Sequence, residues 1–146
     1  MSQLPKNTHP AVARSLKLWH QMIEKKDLGD LHTIVHPDSI FRSPIAMSAY
    51  SSAPALILAL STVIQVFEGF AYHRQLASDE GLDIVLEFSA HIGDKKLKGI
   101  DFIRFDAQGQ ITEFEVMVRP MSGLQALAAE MGKRLGDKLP AFKVKA

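Results

Sequence analysis

The residue best placed to do chemistry is a carboxylate standing where the apolar pattern has no room for one. Gly93-Asp94 is a two-residue hairpin signal between an alternating run, Leu82 to Ile92, and a second run, Lys96 to Phe105. A turn closed there pairs Ile92 with Lys95. It sets Leu97 opposite Ala90, Gly99 opposite Phe88 and Asp101 opposite Leu86. One face of the hairpin then carries Leu86, Phe88, Ala90, Leu97, Ile103 and Phe105, and Asp101 is the ionisable group among them. The other face carries Glu87, His91, Lys96, Lys98 and Arg104. Burying a carboxyl is costly unless it is hydrogen-bonded or protonated. Desolvation raises its pKa, and groups perturbed in this way gather at functional sites. Asp101 is therefore the candidate general acid or base. The alternative is a carboxylate satisfied by a helix N-terminus or an arginine.

The neighbouring strand constrains this reading. A four-residue loop, 106–109, pairs Phe105 with Gln110 and brings Phe114 opposite Asp101. Thr112, Phe114, Val116 and Val118 then point inward, with Glu113 and Glu115 outward. A one-residue slip would set Glu115 against Asp101 as a carboxylate pair, but it would also bury Glu113. His73 and Arg119 are candidate partners for Asp101. The turn at 78–81 closes in two ways; one turns His73 inward, the other Tyr72 and Arg74.

Around Asp101 the same face offers pocket-wall candidates: Leu86, Phe88, Phe114 and Val116 from the strands, and Trp19, Phe41 and Phe67 from the preceding elements. Each suits core packing as well as a wall, and the Trp19 indole N–H could also meet a ligand. Ser43, before Pro44, completes the set; no His lies near it in sequence, so it is not read as a nucleophile. Of the six His, only His32 and His36 have a chelating i, i+4 spacing, and Pro37 interrupts them, so no metal is expected.

The elements that hold these residues follow from periodicity. Thr8 and Pro10 open a helix whose apolar stripe is Val12, Leu16, Trp19 and Ile23. Asp27 caps a second short helix with Leu28, Leu31, Ile34 and Val35, ended by His36-Pro37-Asp38. Ile40 and Phe41 form a short strand. Ser52 and Pro54 start a third helix to about Phe67, apolar on nearly all sides and hence buried. The period then changes to two. Four strands follow (Phe70 to Ala77, then Leu82 to Ile92, Lys96 to Phe105 and Ile111 to Arg119), joined as an antiparallel meander. A last helix after Pro120 carries Leu124, Leu127, Met131 and Leu135. The tail from Lys138 is expected to be loosely held. Helices before a long antiparallel sheet define an α+β fold, with a curved sheet wrapped around N-terminal helices.

Composition narrows the partners. The 146 residues are about the length of one domain, 1–146, with a core over about 8–136. A net charge of +1 offers no basic field for nucleic acid or an anionic membrane. With no Cys, a disulfide framework and thiolate chemistry are excluded. No apolar run approaches the ~20 residues of a membrane span, and a cytoplasmic location is expected. Lys133, Arg134, Lys138, Lys143 and Lys145 read as a solvated basic end.

Three stretches together resemble a known group: Trp19 with Lys26-Asp27-Leu28, His36-Pro37-Asp38-Ser39-Ile40-Phe41-Arg42-Ser43-Pro44, and Gly99-Ile100-Asp101-Phe102-Ile103-Arg104-Phe105-Asp106 with Gly109-Gln110-Ile111. From Leu16 to Leu135 the chain resembles the nuclear transport factor 2-like superfamily, in its SnoaL-like and ketosteroid isomerase-like bacterial branch. The resemblance implies a cone-shaped fold around an apolar pocket. It also implies homodimers packed through the outer sheet face, and no cofactor. Asp101 matches the protonated aspartic acid that donates to the oxyanion in the isomerases. Their oxyanion tyrosine falls at Trp19, and their general base at Ser43, which cannot serve as a base unaided. Steroid isomerisation of the usual kind is therefore not expected. The polyketide-cyclase branch, with an acid/base aspartate near Asp101, fits better. The expectation is a small-molecule pocket protein working by acid–base chemistry at Asp101 on an apolar carbonyl compound. The alternatives are a non-catalytic binder of a small apolar molecule and a sheet-mediated interaction domain.

Overall fold

A computed structural model describes residues 4–136 and 138. Helix α1 (Pro10–Lys25) leads into a single 3-10 turn (Leu31–Ile34) and strand β1 (Val35–Arg42). Strand β2 (Tyr50–Ser51) and helix α2 (Ala53–Val66) follow. Then come β3 (Glu68–Ala77), β4 (Asp83–Ile92), β5 (Lys95–Phe105), β6 (Ile111–Arg119) and helix α3 (Met121–Leu135). The six strands lie in the order β2-β1-β6-β5-β4-β3. All pairings are antiparallel except β1 with β6. The α+β class and the meander of the last four strands are as expected.

Helix α1 buries Val12, Leu16 and Trp19 against the sheet, as its stripe requires. Its cap is His9 rather than Thr8: the His9 ring accepts the Ala11 N–H at 3.1 Å, while the Thr8 hydroxyl turns back to Pro5 O. The expected second helix is reduced to the 3-10 turn, and Val35 opens a strand instead. Pro37 lies in β1 without disrupting it because the pairing with β6 is irregular between Val35 and Ile40, so no ladder N–H is missed there.

The β4–β5 hairpin has the register that the Gly93-Asp94 turn dictates, with Asp101 paired to Leu86 and Gly99 to Phe88. Gly99 is required there, since a Cβ would meet Met117 O at 2.3 Å and the Phe88 ring at 2.6 Å. The β5–β6 register differs from expectation. Val116, not Phe114, lies opposite Asp101, and Phe105 pairs with Ile111. The cause is the turn: the Asp106 carboxylate accepts the N–H groups of both Gln108 (3.0 Å) and Gln110 (2.9 Å), so Gln110 stays in the loop. A bulge between Arg104 and Phe105 absorbs the remainder. The shift along most of the pair is two residues, so Phe114 and Val116 still face inward.

Strand β3 holds the other irregularity. Tyr72 pairs with Phe88 and Gln75 with Leu86, leaving His73 and Arg74 together opposite Glu87. This bulge sends both His73 and Arg74 outward while Tyr72 points in. Neither of the two simple closures of the 78–81 turn describes it. No helix among the described residues is long and apolar enough to cross a membrane. The expected loose tail lies outside the described residues, Lys138 excepted.

Candidate functional site

Between the inner sheet face, α2 and the C-terminal half of α3 lies a cavity of about 220 Å3. Asp101 enters it from β5, Tyr72 from β3 and Trp19 from α1. These three form a hydrogen-bonded chain. The Trp19 indole donates to the Tyr72 oxygen at 3.0 Å, and the Tyr72 hydroxyl donates to Asp101 Oδ2 at 2.5 Å. Indole is a donor only, so it occupies the acceptor side of Tyr72 and leaves the phenol proton for Asp101. No other hydrogen bond to the Asp101 carboxyl occurs among the described residues.

Burial sets the electrostatics. Desolvation pushes Asp101 up to about 7, against the smaller downward effect of the Tyr72 hydrogen bond. Tyr72 is raised well above the usual phenol range by burial, then by the Asp101 charge. His20 packs edge-on against the Tyr72 ring at 5.2 Å and sits 3.1 Å from Gln75 Oε1. Burial lowers its pKa, so it is held neutral and gives Asp101 no cationic partner. The result is a carboxyl that takes up and releases a proton near neutrality at the buried end of an apolar cavity.

The expected site residues divide. Trp19, Phe41, Ser43, Phe67 and Val116 line the cavity with Asp101. Leu86, Phe88 and Phe114 do not: they are fully buried behind the wall. Phe114 packs on Trp19 at 5.4 Å and Phe88 on Phe67 at 5.5 Å, so they support lining rings instead of facing the space. His73 is exposed and bonds Ser89 Oγ at 2.7 Å, and Arg119 is exposed on the outer face opposite Lys98; neither reaches Asp101. The Ser43 hydroxyl oxygen accepts the Ile45 N–H at 3.0 Å. Sequence reasoning left Tyr72 as one of two alternatives and passed over Phe70 and Tyr50. The period-two spacing of Phe70 and Tyr72 was the available signal. Among the described residues no three His, Asp or Glu side chains converge as metal ligands. His32 turns instead to Gly29 O and His36 to the Asp38 N–H.

No protein-family profile matches the chain, and no curated protein sequence does. Solved structures do. A crystal structure of a steroid delta-isomerase from Pseudomonas aeruginosa is 54% identical, with a TM-score of 0.88, covering 94% of this chain and 99% of that one. An uncharacterised bacterial protein with a cystatin-like fold from Silicibacter pomeroyi is 28% identical, with a TM-score of 0.80, covering 95% of this chain and 98% of that one. An NTF2-like protein of unknown function from Mesorhizobium loti shares the fold at 12% identity and a TM-score of 0.67, over 82% of this chain and all (100%) of that one. A curved sheet closed by helices over an apolar pocket defines a small-molecule binding fold of the cystatin-like kind. The chain belongs to the nuclear transport factor 2-like superfamily, with the ketosteroid isomerase-like proteins.

Proposed function

We propose that the protein catalyses cofactor-free acid–base chemistry on a small apolar carbonyl compound, with Asp101 as the group that moves the proton. The observation that carries this reading is Asp101 itself: buried, uncompensated by any cation among the described residues, joined to Tyr72 and open to an apolar cavity. In its ionised form the carboxylate accepts a proton from the carbon next to the ligand's carbonyl. In its protonated form it returns that proton. With Ser43 where a second base would stand, one residue takes and returns the proton. The name of the Pseudomonas aeruginosa relative supports an isomerase type of reaction. The test is deuterium uptake next to the carbonyl of a cyclic ketone in heavy water, followed by NMR. The protein should accelerate it and Asp101→Asn should not; equal rates for both would end the proposal.

A second reading is favoured by one observation. Ser43 is neither a base nor positioned by one, its oxygen being used by the Ile45 N–H. The protein would then bind the same compound without turning it over. Ligand affinity without any exchange activity would decide for that reading. We further propose that two copies pair through the outer sheet face. There Phe102 and Met117 are 40% and 42% exposed, with Ile100 paired to Met117 and two residues from Phe102 along β5. A Phe102→Asp variant should be monomeric by light scattering; a wild-type monomer would refute the pairing.

A further inference from the structure

Resting on the acid–base reading, the cavity also defines how large its ligand is and what charge it carries. The space is about 220 Å3. A cavity of about 150 Å3 accepts benzene, and drug-sized ligands occupy about 300 Å3 or more. On that scale the site has room for on the order of ten non-hydrogen atoms, which is one or two fused rings.

The walls give little scope for more. Phe70 stacks on Phe67 at 5.6 Å and on Phe88 at 5.2 Å, and meets Tyr72 edge-on at 4.8 Å. These rings interlock, so moving one disturbs all four. Opposite them Ala59, Leu60 and Leu127 are buried in the helix packing. The way out lies past Ile45, which is 51% exposed, and the exposed Gly132 and Gly136 at the end of α3. A four-ring skeleton seated with its carbonyl at Asp101 would carry much of its length past the described walls at that rim.

Charge narrows the class further. No Lys, Arg or His is among the described residues lining the cavity. A ligand carboxylate would find no counter-ion among these residues and would lie beside one that is itself an acid. With the Tyr72 proton already given to Asp101, the protonated form of Asp101 presents the free proton, which suits an acceptor. We infer that the site takes a compound of one or two rings that bears no carboxylate, with a single carbonyl seated at Asp101, and that steroid-length ligands gain nothing from their remaining rings.

Saturated fused-ring ketones of one to four rings test this on the unaltered protein at pH 7. Calorimetry and the fluorescence of Trp19, the single tryptophan, report binding. Affinity should rise at least about tenfold from one ring to two and change less than about threefold from two rings to four, because rings left in water gain no burial. The two-ring carboxylic acid should bind at least about tenfold more weakly than the ketone. A further tenfold gain at four rings, a flat response from one ring onward, or an acid that equals the ketone would overturn the inference. Asp101→Asn separates this from the acid–base reading. If it keeps the wild-type exchange rate while the ring-size steps persist, the chemistry is wrong and the size class stands. If exchange is lost but affinity keeps climbing to four rings, the size class is wrong and the chemistry stands.

Discussion

Two carboxylates on neighbouring strands, Asp101 on β5 and Glu87 on β4, each expose little surface, at 6% and 7%, but Asp101 lies deep in the interior while Glu87 is covered only by outer-face side chains, and their fates are opposite. Glu87 points to the outer face, where Arg74 reaches it at 2.6 Å and Lys98 at 3.1 Å. Its hydrogen bonds to Arg74 and then Lys98 hold it well below the usual carboxylate range, so it stays ionised. Asp101 points inward, where its partner is a neutral phenol and the nearby histidine is neutral too. Desolvation then dominates, and the carboxyl titrates at about 7. Depth and the lack of a cation among the described residues act together to raise Asp101, whereas Glu87, near the surface and paired with two cations, is lowered. The Glu87 cluster ties neighbouring strands on the outer face, and the Asp101 cluster holds a carboxyl of raised proton affinity.

The contrast can be broken experimentally, and the largest effect should fall on turnover. Asp101→Asn should lower the exchange rate on a ring ketone by about 100-fold or more, the usual weight of a general acid or base. Glu87→Gln, measured in the same assay, should change it by less than about twofold. If both variants lose activity together, the loss is one of folding and the distinction fails.

Stability against pH comes next. The folded pKa of Asp101, about 7, lies above its ordinary 3.8, so between these values the folded state binds more protons than the unfolded state. The contribution is therefore fully present below about pH 4 and is lost as pH rises to about 7. The gap is worth on the order of 4 kcal/mol. Denaturant melts of wild type and Asp101→Asn should show their difference in stability changing by about that amount across this window and flattening above it. Glu87→Gln should leave that window unchanged. Its effect should appear instead at low pH, because the stability Glu87 contributes is present above the ordinary carboxylate pKa and lost as pH falls through its lowered one.

A smaller effect sharpens the role of the phenol. Tyr72→Phe leaves the Trp19 N–H without its acceptor and should cost about 1–3 kcal/mol in a denaturant melt. It also removes the bond that lowers Asp101, so the midpoint of the activity–pH profile should move above about 7. An unmoved midpoint would show that the Tyr72 hydrogen bond does not tune the acid. Smallest of all should be His73→Ala, which loses a surface contact to Ser89 and should alter activity by less than about twofold.

Much of this was legible from local rules. The α1 stripe, the β4–β5 register and the pairing of Asp101 with Leu86 follow from an apolar period and a two-residue turn, both set by nearby residues. The β5–β6 register was off by two because the reach of Asp106 to two N–H groups lengthens a loop that length alone makes ambiguous. Tyr72 could not be chosen over His73 because the bulge opposite Glu87 resets the alternation partway along β3. The parallel partner of β1 was hidden for another reason: it joins residues far apart in sequence, and nothing in either strand names the other.

The same split runs through the site. Alternation alone placed a carboxyl on an apolar face, because period-two geometry admits no other side for Asp101 once the Gly93-Asp94 turn is closed. It could not say whether Phe88, Phe114 and Val116, all on that face, enclose a space or fill one. That depends on where three helices settle over the sheet. They cover Phe88 and Phe114 and leave Val116 facing a cavity. Nor could alternation say that a phenol rather than a cation would meet Asp101, since the choice lies in a bulge two strands away. The position of the charge is a local property of the chain; its proton affinity depends on what long-range packing brings beside it.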